Sequence, residues 1–169
     1  MPARWRGRLG GLAILAVLAA LIVPLALTAA APAAPALVVT APDGSVLAER
    51  VLYDGGVSLR YRNSLYRSLA EERYAVEPDG RIRLVELSAD ELAVLEEYYA
   101  IDRPAERQPD EAAGAWRAQP AREVVIESLM VAATDLGQRV LLVDGAPPLE
   151  LWRLVEDGDS SVRLEVKVP

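Results

Sequence analysis

Residues 56–77 contain two stretches in which apolar and polar side chains alternate, and this alternation is the strongest constraint on the fold. Val57, Leu59 and Tyr61 occupy every second position, with serine or arginine between them. A period of two places these side chains on one face of a β-strand. The stretch that contains Tyr74 and Val76 alternates in the same way. The sequence therefore predicts a hairpin of two half-buried antiparallel strands.

Two polar residues fall on the apolar face of this hairpin. The alternation places Asn63 with Tyr61, and Glu72 with Tyr74. If the turn lies near Arg67, Tyr61 pairs with Tyr74 and Asn63 with Glu72, with Cβ atoms roughly 5 Å apart. A longer loop or a bulge would shift the pair by two, because arginine followed by serine is unsuited to a two-residue turn.

An inward carboxylate needs a partner, because burial of an unpaired charge is costly. Either Asn63 and Glu72 form the solvated end of a sheet, or Glu72, held by an amide, marks a binding site near Ser64 and Arg67. On the second interpretation the candidate binding residues are Tyr61, Asn63, Ser64, Arg67, Glu72 and Tyr74.

The hairpin resembles a family of small exported domains of unknown function, often encoded beside TRAP-type transporters of the TAXI subclass. Tyr61, Ser64, Glu72 and Tyr74 carry the match. The family's histidine position holds Asn63, and an amide neither titrates nor binds metal as an imidazole does. A helical pattern replaces the family's Gly-rich segment. The resemblance covers residues 37–87 and, more weakly, 124–168.

The resemblance implies an accessory or binding component of a solute transporter, with transporter membrane subunits or a small solute as partner. The alternative is a structural or surface interaction domain without a transport role. Its contact surface would be the segment around Trp116 or an exposed sheet edge.

Composition argues against several kinds of catalysis. The chain has no cysteine and no histidine, so disulfides, thiolate chemistry and the usual zinc ligation are excluded. Serine has no histidine base, and Lys167, the only lysine, faces outward in a predicted strand. Carboxylates are abundant and leave a two-carboxylate hydrolase as a third hypothesis. We predict a non-catalytic protein without metal or cofactor.

The N-terminus has the pattern of an export segment. Arg4, Arg6 and Arg8 precede an apolar run over residues 9–31. Residues 1–31 are predicted to be either a cleaved signal peptide or a retained membrane anchor, followed by an Ala/Pro tether over 32–36. Both alternatives place the remainder outside the cytoplasm, either periplasmic or anchored to the cytoplasmic membrane.

The exported part is acidic. Three of the 18 basic residues lie in the N-terminal cluster, which leaves 15 against 25 acidic residues, or a net charge near −10. Nucleic acid as a partner calls for a basic surface and is not expected. Membrane contact is expected only through the N-terminal segment, if that segment is uncleaved.

The rest of the chain predicts short strands closed by turns. Pro-Asp-Gly occurs at residues 42–44 and 78–80, between strand-like segments. Ser88 and Glu91 have capping-box spacing and predict a helix over 89–100. We expect Tyr98 and Tyr99 on its packed face; the alternative is that they line a pocket. Residues 102–122 predict a long loop that Trp116 holds against the body.

Strand-like stretches return at residues 123–132, 138–143, 149–155 and 161–168. About nine strands and one helix result. The predicted fold is an all-β, antiparallel, sandwich-like or barrel-like single domain over residues 37–169, preceded by the N-terminal signal or anchor helix.

Overall fold

Short strands with alternating burial form two antiparallel sheets. The computed structural model describes residues 34–53, 56–108, 114–155 and 161–169, within a unit that spans 34–169. The strands are β1 Ala36–Thr40, β2 Val46–Val51, β3 Gly56–Arg62, β4 Leu69–Val76, β5 Ile82–Ala89, β6 Glu106–Arg107, β7 Trp116–Ala118, β8 Val125–Ile126, β9 Ser128–Ala132, β10 Val140–Val143, β11 Leu149–Glu150 and β12 Ser161–Lys167.

The two sheets differ in size. The smaller sheet has the order β2-β1-β12-β9. The larger has the order β11-β10-β3-β4-β5-β7-β6, with β8 also paired to β5. The predicted hairpin forms the middle of the larger sheet as β3 and β4.

The facing surfaces of the two sheets share one hydrophobic core. The smaller sheet contributes Leu37, Val39 and Leu164, and the larger sheet contributes Leu59 and Leu141. Each of these side chains is at least 97% buried. The predicted all-β sandwich is confirmed. The described residues contain twelve strands rather than about nine, because one predicted strand divides into two and the predicted long loop contains a further two-stranded hairpin.

A second cluster lies under a short helical turn. Tyr61 and Leu87 of the larger sheet pack there against Val94 and Leu95. Val94 and Leu95 belong to a π-helical turn, Val94–Tyr98, and both are fully buried. This part of the larger sheet is therefore covered by residues near the turn rather than by the smaller sheet.

The helix predicted over residues 89–100 is much shorter than expected, since helical backbone covers only residues 92–98. Ser88 is not a cap, because β5 continues to Ala89 and Ser88 pairs with Arg117. Strand pairing with β7 thus delays the helix by one turn, and the capping-box prediction was wrong.

The segment predicted as a long loop, residues 102–122, contains strands β6 and β7. Trp116 pairs with Arg107 and with Ala89, so β7 extends the larger sheet. The half-buried Trp116 ring also packs against the second cluster. The prediction that Trp116 holds this segment against the body is confirmed.

Two of the predicted strands are not continuous in the structure. Residues 123–132 divide at Glu127, because β8 pairs with β5 in the larger sheet while β9 pairs with β12 in the smaller. Residues 149–155 leave the sheet after β11 and enter a 3-10 turn, Leu151–Arg153. The alternation in β12 is confirmed, with Val162 and Leu164 buried.

The N-terminal signal or anchor, predicted over residues 1–31, lies outside the described residues. The predicted tether over 32–36 ends earlier, because Ala36 already pairs with Lys167 and Val51 in β1. Within the described part of the chain, no helix combines the length and apolarity needed to cross a bilayer.

Candidate functional site

The loop between β3 and β4 is built around the side chain of Asn63. Asn63 Oδ1 accepts hydrogen bonds from the backbone N–H groups of Leu65 and Tyr66, each at 3.0 Å. The Asn63 backbone N–H donates to the Ser68 carbonyl at 2.9 Å, and its carbonyl accepts from Arg67 N–H at 2.8 Å. The loop therefore closes between Asn63 and Ser68, with Arg67 at a φ of 54°.

This loop sets a register different from the predicted one. Tyr61 pairs with Ala70, Leu59 with Glu72, and Val57 with Tyr74. The prediction that Asn63 pairs with Glu72 was wrong. Asn63 satisfies loop backbone groups, as asparagine does in turns, and this closes the hairpin four residues earlier on β4 than expected.

Glu72 does face inward, as predicted, but its partners are phenols. Tyr74 donates its hydroxyl to Glu72 Oε2 at 2.6 Å, and Tyr99 donates to Oε1 at 2.5 Å. The hydroxyls of Tyr61 and Tyr99 are 2.5 Å apart. Because the Tyr99 hydroxyl donates its hydrogen bond to Glu72, its oxygen accepts from Tyr61. We call these four residues the Tyr–Glu cluster.

The cluster keeps its phenols protonated. Burial, opposed by the hydrogen bond with Tyr99, raises the pKa of Tyr61 to about 12. Burial, and then the charge of Glu72, raise the pKa values of Tyr74 and Tyr99 above their ordinary range. The protonated phenols donate to the carboxylate, which gives Glu72 the hydrogen bonds that an inward charge requires.

A pocket of about 120 Å³ opens beside Tyr61 and the hairpin loop. This volume is several times the roughly 10–15 Å³ that one water needs. Its lining comes from the end of β3, the hairpin loop, the π-helical turn and the segment before β10. The lining residues are Tyr61, Arg62, Asn63, Ser64, Tyr98, Thr134, Leu136, Gly137 and Arg139. We call this space the hairpin pocket.

Arg139 connects the hairpin pocket to the Tyr–Glu cluster. Its guanidinium carbon lies 5.0 Å from the centre of the Tyr61 ring, within cation–π range. Its Nη1 atom donates to the carbonyl of Ala132 at 2.9 Å. β10 pairs with β3 such that Val140 faces Arg60, which brings Arg139 to the end of the hairpin. The guanidinium is thus held from two sides at the wall of the pocket.

The predicted site residues divide into two groups. Tyr61, Asn63 and Ser64 line the hairpin pocket, whereas Glu72 and Tyr74 lie in the cluster behind Tyr61. Exposed Arg67 does not line the pocket. The structure therefore joins five of the six predicted residues into one region, though not through the predicted Asn63–Glu72 pair.

The sequence did not identify several pocket-lining residues: Arg62, Thr134, Leu136, Gly137 and Arg139. It predicted Tyr99 as a packed side chain, not as a hydrogen-bond partner of Glu72. Tyr98 and Tyr99 carried a weak signal, as adjacent aromatic residues at the end of a helical pattern. The approach of Arg139 has no local signature, because it depends on the pairing of β10 with β3.

Over the described ranges of the chain, no group of three or more metal-ligating carboxylates lies together. Comparison of the chain with protein-family models, curated proteins and solved structures finds no match. The resemblance at Tyr61, Ser64, Glu72 and Tyr74 therefore stays a prediction.

Proposed function

We propose that this protein is an extracytoplasmic, non-catalytic binding domain that serves as an accessory component of a solute transporter. The observation that carries the proposal is the hairpin pocket, a small polar concavity beside the residues that resemble the transporter-linked family. Ligand sites are commonly concave, with a few polar groups that fix orientation. Tyr61 and Ser64, two of the four residues of the resemblance, line this pocket.

The Tyr–Glu cluster supports the proposal as a rigid base for the pocket. Tyr99, which is held by Glu72, fixes the Tyr61 hydroxyl, and the Tyr61 ring fixes the guanidinium of Arg139. Binding sites hold their groups best when a surrounding shell of hydrogen bonds orients them. Three of the four residues of the resemblance belong to this cluster, so the cluster offers a physical role for the motif.

The location of the domain follows from the N-terminal pattern of three arginines and an apolar run over residues 9–31. Basic residues remain on the cytoplasmic side of a membrane. Whether the segment is cleaved or retained, the domain that follows it is exported.

Purification of the tagged full chain from its native membrane in mild detergent tests the transporter association. We expect transporter membrane subunits to co-purify with the chain. Arg67→Gln, outside the pocket, and Arg62→Gln, in its lining, form a matched pair for solute uptake by cells. We expect only Arg62→Gln to reduce uptake.

Recovery of the chain alone, beginning near Ala31, would mean a cleaved signal and a free periplasmic domain, and would overturn stable attachment to a transporter. Unchanged uptake with Arg62→Gln would show that the hairpin pocket is not needed for solute uptake. The alternative, a structural or surface interaction domain, would then be favoured. Deletion of residues from the β6–β7 hairpin, which carries Trp116, would test that alternative.

A further inference from the structure

We propose that the hairpin pocket binds the oxyanion of a small organic molecule, such as a carboxylate or a phosphate, whose carbon body rests on an apolar rim. The inference rests on the proposed function, since it names the ligand class of that same site.

Asn63 provides a hydrogen-bond donor that the hairpin loop does not use. The residue is 95% buried, and its Oδ1 atom accepts both loop N–H groups. Two N–H donors facing the same atom identify it as the oxygen, so the amide nitrogen is the remaining polar atom. That nitrogen makes no hydrogen bond to any residue the structure describes, and Asn63 lines the pocket. A ligand acceptor would satisfy it.

Two guanidinium groups give the pocket a positive character that differs from the rest of the chain. Arg62 and Arg139 line it, and none of its lining residues is acidic. The whole chain, in contrast, has 25 acidic and 18 basic residues. Guanidinium groups present planar donors that match carboxylate and phosphate oxygens. The nearby Glu72 carboxylate lies behind Tyr61 and already accepts hydrogen bonds from two phenols.

Two exposed apolar side chains form the rim of the pocket. Tyr98 is 61% exposed and Leu136 is 65% exposed, and both line the pocket. They come from different segments, the π-helical turn and the segment before β10. An inorganic ion would leave both side chains in water, whereas a molecule with a carbon body would cover them. This favours an organic anion.

Because Gly137 has no side chain, the guanidinium of Arg139 has room beside it at the wall of the pocket. A Cβ atom on Gly137 would lie 2.9 Å from Arg139 Nη1, closer than such contacts normally come. The φ of Gly137 is not in the left-handed region, so alanine is compatible with its backbone. Gly137→Ala should therefore displace the guanidinium without removing its charge.

The test measures ligand binding by titration calorimetry with the full chain in mild detergent, at fixed ionic strength. Benzoate and phenyl phosphate are the anionic probes, benzamide is the neutral isostere of benzoate, and acetate lacks the apolar body. We expect at least one aromatic anion to bind, and benzamide and acetate to bind about tenfold more weakly or worse. One lost hydrogen bond to a charged group is worth about tenfold in affinity.

The variants assign the binding to this pocket. Arg62→Gln and Gly137→Ala should each weaken binding by about tenfold. Asn63→Asp keeps an oxygen for the loop but replaces the free donor with negative charge, so it should abolish binding. Arg67→Gln changes the net charge as Arg62→Gln does, lies outside the pocket, and should bind as the wild type.

Three results would overturn the inference: no binding of either aromatic anion, binding of benzamide as tight as that of the preferred anion, or equal losses in Arg62→Gln and Arg67→Gln. Preference for benzoate or for phenyl phosphate identifies which oxyanion the pocket takes. Because purified chain is used, failure here is distinct from failure of the transporter association, which co-purification decides.

Discussion

Single residues in this protein use different atoms of one side chain for separate roles. Asn63 uses its oxygen to close the hairpin loop, and the same residue lines the hairpin pocket, where its nitrogen is the proposed ligand donor. Glu72 uses its two oxygens to hold Tyr74 and Tyr99. A substitution that removes the whole side chain therefore removes both roles, whereas a change of one atom separates them.

The loop role of Asn63 can be measured as stability. Asn63→Ala leaves two N–H groups of the loop without their acceptor, and we expect a loss of about 1–3 kcal/mol in the free energy of unfolding. Asn63→Asp keeps an acceptor and should lose less than Asn63→Ala. Urea denaturation of both variants gives the comparison. Equal losses would show that the Oδ1 contacts do not hold the loop.

The phenols of the Tyr–Glu cluster predict a loss of stability in alkali. Tyr61 has an ordinary pKa near 10 in an unfolded chain and about 12 in the fold. Its contribution to stability is complete below pH 10 and is lost as the pH rises through 12. We expect the free energy of unfolding to fall over this window.

Tyr61→Phe is the control for this pH dependence, because it keeps the ring under Arg139 and removes the ionisable group. Its free energy of unfolding should fall less steeply between pH 10 and 12 than that of the wild type. Tyr74 and Tyr99, whose pKa values are also raised, should account for the remaining slope. Identical slopes for the two proteins would contradict the assignment.

At the scale of elements, two turns with the same Pro-Asp-Gly sequence differ in their surroundings. Gly44 and Gly80 both have a φ of 86°, in the left-handed region. The N–H of Ser45 donates to Asp43, and that of Arg81 donates to Asp79, so each aspartate orders its turn. A Cβ atom would meet nothing within 4 Å at Gly44, but would lie 3.1 Å from the carbonyl oxygen of Val166 at Gly80.

The two glycines therefore form a matched pair. Gly44→Ala should lower the free energy of unfolding by about 1–2 kcal/mol, the usual cost of left-handed backbone with a side chain. Gly80→Ala carries the same cost and should lose about 1–3 kcal/mol more through overpacking. Chemical denaturation of the two variants gives the values. A loss at Gly44 as large as that at Gly80 would mean that the contact with β12 is unimportant.

At the scale of the whole molecule, residues 34–169 contain two hydrophobic clusters and both sheets. All the strand pairs described above lie within this unit. We therefore expect a chain of residues 34–169 alone to fold, with β-type circular dichroism and cooperative unfolding in urea. A chain that shows neither would mean that the sandwich depends on residues 1–33.

Local sequence determined most of the longer strands, their buried faces and the Pro-Asp-Gly turns. A period of two and turn chemistry depend on neighbouring residues, so Leu59, Tyr61, Glu72 and Tyr74 were placed correctly on an inward face. The export pattern of residues 1–31 is likewise local, and it stays a prediction.

Tertiary structure decided the features that depend on residues distant in sequence. The hairpin register followed from the backbone contacts of Asn63, and the helix was shortened because β5 pairs with β7 through Ala89. Glu72 found a partner 27 residues away in Tyr99. Pairing of β10 with β3 brought Arg139 to Tyr61. The periodicity of a strand specifies which way its side chains face, but not which distant side chains meet them.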